Sequence, residues 1–266
     1  MTTNTMISWT THTWNPWWGC TPTWREACKA CYARDEMKKY GHDPNIVRRA
    51  KAATFNRPLA KDQAGEWKWK DGEAVFMGSW MDWCHPEGDS WREEIFAIIR
   101  QRPGLIFHLL THRYERIQEC LPADWADGYP NVWIIASVST QGEVEDARRS
   151  LDGFQAAVKG LSIEPILEDI SIPFRYDALD DDVLDWVIVG AESRSGRPGR
   201  PCHSTWVKSI IEQCRREQVP VFVKQLHFGG QRQGDTVISP PTRLSREPSE
   251  WPLEYRVQEF PDVRPS

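Results

Sequence analysis

Short apolar runs alternate with helical patterns along most of the chain, and this alternation restricts its fold more than any other feature. Six runs are typical of buried strands: 74–80, 105–110, 132–138, 158–163, 183–189 and 219–224. Helical patterns lie between several of these runs, and helices are expected over 112–120 and 204–217. Ser90 and Thr140 are expected N-caps, because each has a glutamate three residues later, the spacing of a capping box. The order predicts an α/β fold, a partial (β/α) barrel of about six to seven β/α units with a parallel sheet covered on both faces.

The same alternation predicts one main domain. The length of 266 residues is normal for an α/β barrel. We expect residues 1–238 to form the barrel, and residues 239–266 to form a Pro-rich extension that packs on the barrel or trails from it. Residues 61–73 are polar and are expected to form a surface excursion.

Charge and hydropathy exclude some classes of protein. The net charge is −5 and the basic residues are scattered, which argues against a tight, non-specific DNA-binding protein. No apolar stretch is long enough to span a bilayer, and the first residues lack the pattern of a signal peptide. The expected location is the cytoplasm, or the host cytoplasm if the gene is viral, with no membrane partner.

Three of the seven cysteines lie close together, in the spacing C-x7-C-x2-C at Cys20, Cys28 and Cys31. An odd number of cysteines without a signal peptide argues against a disulfide framework. Iron–sulfur clusters are held by thiolates, and a complete [4Fe–4S] site uses four. Three thiolates leave one iron open, and S-adenosylmethionine can chelate such an iron through its amino and carboxylate groups. An electron from the cluster then breaks a C–S bond and gives a radical.

Zinc is the alternative at this loop. A C-x2-C pair is common in zinc sites, and Cys84 with His85 offers further ligands. The other cysteines are dispersed, and an isolated cysteine is usually a small buried hydrophobic residue. We therefore expect Cys120 and Cys214 to pack in the interior. The spacing alone predicts a metal site and leaves the metal open between iron and zinc.

Polar residues follow the apolar runs at the positions where a barrel carries its chemistry. The residues at these strand ends are Gly78, Ser79, His112, Arg113, Ser137, Ser139, Glu164, Gly190, Glu192, Lys224 and Gln225. Helix caps and turns use the same residue types, so this pattern leaves a purely structural role open at each position.

Several segments together resemble the phage Gp37/Gp68-type protein family, a branch of the radical S-adenosylmethionine superfamily. They are TWNPWWGC, CKACYA, FMGSWMD, FHLLTHR, LSIEPILEDI, DWVIVGAESRSGRPGRPCH and VPVFVKQ. The resemblance extends from Ile7 to about Trp251. Two features differ from the usual pattern: seven residues rather than three separate the first two cysteines, and His112-Arg113 stands in place of Lys-Arg.

The resemblance implies a partial barrel with a [4Fe–4S] cluster at its mouth, bound by Cys20, Cys28 and Cys31. It implies that S-adenosylmethionine contacts the Gly78–Ser79 loop through its amino group, and that Tyr32 packs against its adenine. Further contacts to the ribose, carboxylate or adenine are implied for Ser137, Ser139, Glu164, Gly190 and Glu192. A substrate pocket beside the cluster is expected to include Asp82, Arg113, Glu192, Arg197, His203 and Lys224. Of these, Arg113 and Lys224 are the expected contacts to a phosphate or carboxylate group.

The family context implies a radical enzyme that rearranges or otherwise modifies a nucleobase or nucleotide. The expected setting is hypermodification of phage DNA, including a thymine that bears an amino acid, with a flavodoxin- or ferredoxin-type electron donor. One alternative is a radical lyase or repair enzyme that acts on a DNA lesion or a peptide. The other is a zinc-stabilised nucleic-acid-binding module without catalysis, against which the net charge of −5 counts.

Overall fold

A computed structural model shows a mixed α/β fold built on one eight-stranded sheet that curls into a half-barrel. The structure describes residue 5 and residues 7–175, 184–194, 199–228, 231–233, 236–239 and 243–263. The strands of the sheet are β1 His12–Trp14, β2 Ala74–Met77, β3 Ile106–Thr111, β4 Val132–Val138, β5 Val158–Ile163, β6 Trp186–Gly190, β7 Val221–Phe228 and β8 Arg243–Ser245.

The strands follow one another across the sheet in chain order. Strands β1 to β7 are parallel, and β8 pairs antiparallel with β7. Because these seven strands are parallel, all their carboxyl ends meet at one edge of the sheet. Each connection between them is a crossover that returns the chain to the opposite edge. Two small antiparallel ladders lie outside the sheet, one joining Trp17–Trp18 to Arg48–Arg49 and one joining Gln231–Gln233 to Thr236–Ser239.

Helices occupy most of the crossovers. The α-helices are α1 Tyr32–Lys39, α2 Ala52–Phe55, α3 Asp89–Arg100, α4 Ile117–Cys120, α5 Gln141–Leu151 and α6 Ser204–Glu217. Single 3₁₀ turns are found at Glu26–Ala30, Arg57–Leu59, Pro86–Gly88, Tyr114–Arg116, Pro248–Glu250 and Leu253–Tyr255. Within the described ranges every helix is too short or too polar to cross a membrane.

Alternate side chains of a strand point to opposite faces of the sheet, so the core has two layers. In β4, Ile134 belongs to the large core between sheet and helices, whereas Trp133 and Ile135 belong to a second cluster on the concave face. Every residue of β4 is buried, as expected for a strand covered on both sides. The continuous apolar sequence of the strand is therefore explained by two different packing partners.

Aromatic side chains fill the base of the half-barrel. Trp9, Trp133 and Trp186 surround His108, with ring centroids 4.7 to 5.5 Å from the imidazole. Apolar side chains thus close the amino-terminal half of the concave face. Toward the carboxyl ends of the strands the same face becomes polar, with Ser137 in β4 and Ser162 in β5.

The helix starts test the capping predictions. Helix α5 begins after Thr140, whose hydroxyl accepts a hydrogen bond from the Glu143 amide at 3.5 Å, which confirms the predicted cap. The prediction of Ser90 as an N-cap is wrong. The N-cap is Gly88, two residues earlier, and helix α3 starts at Asp89.

The carboxyl-terminal segment joins the sheet and packs on the body of the protein. Strand β8 covers the outer edge of β7. Beyond it, Trp251, Tyr255 and Val257 are buried in the large core. The polar stretch at 61–73 is likewise attached, because Trp69 is buried and stacks on His12 at 4.5 Å.

Candidate functional site

A cavity of about 130 Å³ lies at the carboxyl edge of the half-barrel, between the curled sheet and the cysteine loop. Most of the predicted site residues line it: Cys20, Cys28, Cys31, Tyr32, Gly78, Ser79, Asp82, Arg113, Ser137, Glu164 and Lys224. Its remaining walls include Trp9, Phe76 and Leu110 from the concave aromatic face. The structure thus brings the cysteine loop and the ends of several strands to one place.

Cys20 follows a turn that only glycine tolerates. Gly19 has a φ of +98°, and a Cβ at this position would lie 2.3 Å from the carbonyl oxygen of Ile46. The Gly19 amide donates to the Trp80 carbonyl at 3.2 Å, and the Cys20 amide donates to the Pro44 carbonyl at 2.9 Å. The first cysteine is therefore held by backbone contacts on both sides of the loop.

Cys28 and Cys31 are placed by two successive helical turns. Cys28 lies in the 3₁₀ turn, and its sulfur is 3.2 Å from the Thr23 hydroxyl. Cys31 immediately precedes α1. Burial raises the pKa of the Cys31 thiol, and the Arg34 and Ala33 backbone amides at the helix start lower it again. The start of α1 therefore offers amide donors to a thiolate at this position.

The donor set fits a metal group that binds thiolates. All three cysteines are free and half-buried, and they line the same cavity. Burial raises the pKa of Cys20 to about 12, an effect increased by Asp82 and opposed by Arg113. Metal binding would displace these thiol protons. Among the described residues no three His, Cys, Asp or Glu side chains converge as ligands of a single ion do.

Arg113 is held tightly against the cysteine loop. Its guanidinium donates to the Cys20 sulfur at 3.3 Å and to the Thr21 carbonyl at 2.6 Å, and it pairs with Asp82 at 3.3 Å. Asp82 also accepts hydrogen bonds from the Thr111 hydroxyl and the His112 amide. Both charges are buried. Arg113 and Asp82 therefore line the cavity as an internal pair, and both terminal nitrogens of the guanidinium already have partners.

Glu143, which the sequence identified only as part of a capping box with Thr140, fastens the cysteine loop to the sheet. This buried carboxylate accepts hydrogen bonds from the Ser139 amide at 2.7 Å and from the Glu26 amide at 2.9 Å. Ser139 follows β4, and Glu26 begins the 3₁₀ turn that carries Cys28. One side chain thus connects a strand end to the middle of the loop.

Arg25 and Arg200 add two further ties to the loop. The buried guanidinium of Arg25 lies between the rings of Trp24 and Tyr114, about 4 Å from each centroid, and donates to the His112 carbonyl. Arg200 pairs with Glu192 at 2.6 Å and donates to the Glu26 carbonyl at 3.1 Å. The loop is therefore anchored to segments that follow three different strands.

The turn after β2 faces the loop across the cavity. Gly78 has a φ of +114°, and its amide donates to the Trp14 carbonyl at 3.0 Å. Asn15 fixes the next residues by donating to the Ser79 hydroxyl and accepting from the Trp80 amide, both at 2.8 Å. Tyr32 donates to the Ser79 carbonyl at 3.3 Å and so links the turn to α1.

Glu164 and Lys224 form an ion pair on the opposite wall. Lys224 contacts one carboxylate oxygen of Glu164. The other oxygen, Oε1, is buried and has no hydrogen-bond partner among the described residues. Because an unpaired buried carboxylate oxygen is costly, this atom is a natural acceptor for a donor group of a bound molecule.

Several predicted residues do not reach the cavity. The Ser139 amide is occupied by Glu143, Gly190 lies outside the lining, and Glu192 is buried in ion pairs with Arg200 and Arg194. His203 lies before α6 and stacks on Trp206 at 3.9 Å. Arg197 lies outside the described residues. The shared pocket predicted for the substrate residues therefore contains Asp82, Arg113 and Lys224, and excludes Glu192 and His203.

The dispersed cysteines are separate from the cavity. Cys84, Cys120 and Cys214 are fully buried in the large core. Cys84 and Cys120 contact each other, and burial raises the pKa of the Cys84 thiol. Cys202 is half-buried near the start of α6. None of these four side chains lines the cavity that contains the cysteine loop.

Comparison with known proteins identifies a family. No curated protein and no solved structure is significantly similar to the chain. A family model matches residues 4–247, a span that includes the cysteine loop and all seven parallel strands. The chain belongs to the family described as "Protein of unknown function (DUF5131)".

Proposed function

We propose that the protein is a radical S-adenosylmethionine enzyme that holds a [4Fe–4S] cluster through Cys20, Cys28 and Cys31. In this proposal the half-barrel is a partial (β/α) barrel of six to seven units, and residues 20–31 form its cluster-binding loop. One observation carries the proposal: three free thiols from one loop line the same cavity as the Gly78–Ser79 turn and the Glu164–Lys224 pair.

The sequence resemblance is what favours a cluster over a zinc ion. A zinc ion gathers all its ligands around one centre, at about 2.3 Å for thiolates. In a cluster each thiolate binds a different iron, so three ligands surround the group without converging on one point. The three cysteines share a cavity, and the described residues contain no group of three side chains already arranged as ligands of a metal ion. Zinc stays as the alternative that metal analysis can distinguish.

In this proposal the chain's own residues bind S-adenosylmethionine and keep water out of the cavity. When bound, the cluster would supply the electron that breaks a C–S bond of S-adenosylmethionine, which yields a radical able to remove a hydrogen atom. The free Oε1 of Glu164 can accept from an ammonium or hydroxyl group of that molecule. Trp9, Phe76 and Leu110 line the inner wall, where apolar side chains limit the entry of water.

We further propose a nucleobase or nucleotide as the substrate, with an isomerase-type rearrangement in DNA hypermodification as the preferred reaction and a flavodoxin- or ferredoxin-type protein as electron donor. The sequence resemblance supports this choice. A radical lyase or repair enzyme that acts on a DNA lesion or a peptide would use the same cavity. Product analysis with candidate substrates separates these reactions.

Metal content tests the proposal most directly. Protein purified and reconstituted without oxygen should be brown and contain about four irons per chain. The variants Cys20→Ala, Cys28→Ala and Cys31→Ala should each lose the cluster, as measured by iron and sulfide analysis and by electron paramagnetic resonance. Cys202→Ala is the matched control, because Cys202 is also half-buried but does not line the cavity.

Reductive cleavage of S-adenosylmethionine provides the second readout. With dithionite, the reconstituted protein should release 5′-deoxyadenosine, and the three cysteine variants should not. Stoichiometric zinc without iron would contradict the proposal and favour the zinc-stabilised module. Iron content that falls as far in Cys202→Ala as in Cys28→Ala would show that the three-ligand site is wrong.

A further inference from the structure

A second and larger cavity adjoins the first. It has a volume of about 650 Å³ and shares Tyr32, Ser79, Trp80 and Lys224 with the cavity that contains the cysteine loop. Its outer wall includes Gln225 and Arg246 from β7 and the segment after β8. A molecule in the second cavity would therefore lie next to the site proposed for the radical chemistry.

Arg246 differs from the other cations of this cavity in having no acidic partner among the described residues. Lys224 pairs with Glu164, and Arg194 pairs with Glu192 at 3.3 Å. Among the described residues no carboxylate pairs with Arg246, whose hydrogen-bond partners are neutral. Glu36, the acidic residue in the lining, instead accepts from the Trp80 indole at 3.4 Å. Within the described part of the chain, no carboxylate therefore compensates the charge of Arg246 in this cavity.

Two neutral acceptors hold the guanidinium in a fixed orientation. Its Nε donates to the Gln225 side-chain oxygen at 3.3 Å, and its Nη2 donates to the Ser193 hydroxyl at 2.7 Å. Gln225 is itself buried and fixed by a hydrogen bond to the Ala191 carbonyl at 2.6 Å. Because arginine carries five N–H donors, these two bonds leave both donors of Nη1 and one of Nη2 available to a ligand.

We infer that Arg246 binds an anionic group, a phosphate or a carboxylate, of the substrate that occupies the second cavity. This inference rests on the proposed function, because it assigns the substrate to the space beside the cysteine loop. A pre-oriented guanidinium suits such anions, since they accept two parallel N–H bonds. The aromatic side chains of Trp80 and Tyr32 offer apolar surface for the rest of the molecule.

Calorimetric titration with paired probes tests the anion site. Thymidine 5′-phosphate is compared with thymidine, and N-acetylalanine with its amide, so that each pair differs in one anionic group. One anionic probe should bind roughly 10- to 100-fold more tightly than its neutral partner, as expected for charge-assisted hydrogen bonds. The pair that shows this preference identifies the anion as phosphate or carboxylate.

Variants test whether Arg246 is the source of the preference for the anionic probe. Arg246→Gln should remove it, and Arg246→Lys should retain part of it because the charge remains. Arg256→Gln is the matched control: Arg256 lies in the same segment and also donates to neutral acceptors, but it is exposed and outside the cavity. Thermal unfolding checks that every variant is folded.

The outcomes separate the two proposals. Iron-loaded protein that cleaves S-adenosylmethionine but shows no anion preference, or keeps it in Arg246→Gln, would overturn the Arg246 assignment alone. The assignment would also be overturned if Arg246→Gln weakened S-adenosylmethionine binding instead. If the protein takes up no iron on reconstitution, the radical function is contradicted. An anion preference that depends on Arg246 in that protein would still support the anion site.

Discussion

The replacement Glu143→Gln removes one carboxylate oxygen and tests how the cysteine loop is fastened to the sheet. In the native protein both oxygens of the buried side chain are used, one by the Ser139 amide and the other by the Glu26 amide. The glutamine amide keeps one acceptor oxygen. Its NH₂ group then faces a backbone N–H, so one buried donor loses its partner.

The expected loss of stability follows from these two bonds. A hydrogen bond to a charged group contributes about 1.5–3 kcal/mol, and a neutral one about 0.5–1.5 kcal/mol. Losing one charged bond and weakening the other lowers the free energy of unfolding by about 2–4 kcal/mol. For a chain of this size each kcal/mol corresponds to roughly 2–4 °C, so the unfolding temperature should fall by about 4–16 °C.

Thermal unfolding followed by circular dichroism measures the effect, and iron retention after reconstitution measures its consequence for the loop. Glu145→Gln is the control, because Glu145 lies on the same helix but is exposed, and among the described residues its side chain accepts one hydrogen bond, from Gln141 at 3.3 Å. We expect the control to unfold within about 0.5 kcal/mol of the native protein. If both variants have the same unfolding temperature, the tethering role of Glu143 is wrong.

Three further replacements test the loop and the core. Gly19→Ala should destabilise the protein well beyond the roughly 1–2 kcal/mol of backbone strain expected for Gly41→Ala, where a Cβ meets open space, because the Gly19 Cβ would strike a carbonyl oxygen; thermal unfolding compares them. Burial lowers the pKa of His108 to about 3, so the unfolded chain binds the proton first, and stability is lost as pH falls below about 6.5. From about pH 7.5 to 5 the native protein should lose about 2 kcal/mol more stability in urea unfolding than His108→Phe, and equal losses would contradict this. Arg113→Gln should lower iron retention, because it removes the donor to the Cys20 sulfur and leaves Asp82 buried without its cation; full iron with impaired turnover would favour a substrate contact instead.

The sequence predicts the central strands and helices well because local pattern and packing agree there. Strands β4 and β5 match the predicted runs at both ends, and helix α6 spans the predicted residues. These segments are long and strongly patterned, and they are covered on both sides or on one clear face. Their boundaries follow from the point at which burial ends.

Short elements at the edges could not be predicted in the same way. Strand β1 has three residues and lies in a polar segment, so its sequence carries no periodic pattern. Strand β8 forms only because β7 offers an unpaired edge. The region 112–120, expected to be helical, divides into a 3₁₀ turn and the one-turn helix α4. In each case long-range pairing decides the structure, and a local pattern cannot show it.

The candidate site was likewise predictable only in part. The strand-end rule identifies the edge of the sheet, and Gly78, Ser79 and Lys224 do reach the cavity. It does not show which charges are already neutralised. Arg113 and Lys224 were the expected anion contacts, yet each has an internal acidic partner. Arg246 lies in the segment expected to be a mere extension, and it lacks such a partner among the described residues.

The availability of a charge therefore depends on pairing across the fold more than on position along a strand. A buried arginine beside a carboxylate gains little from a second anion, because its field and donors are already used. An arginine held by neutral acceptors keeps its full charge and its remaining donors. Arg113 and Arg246 illustrate the two cases within neighbouring cavities. The first is suited to hold the cysteine loop in place, and the second to bind the anionic group that we propose for the neighbouring cavity.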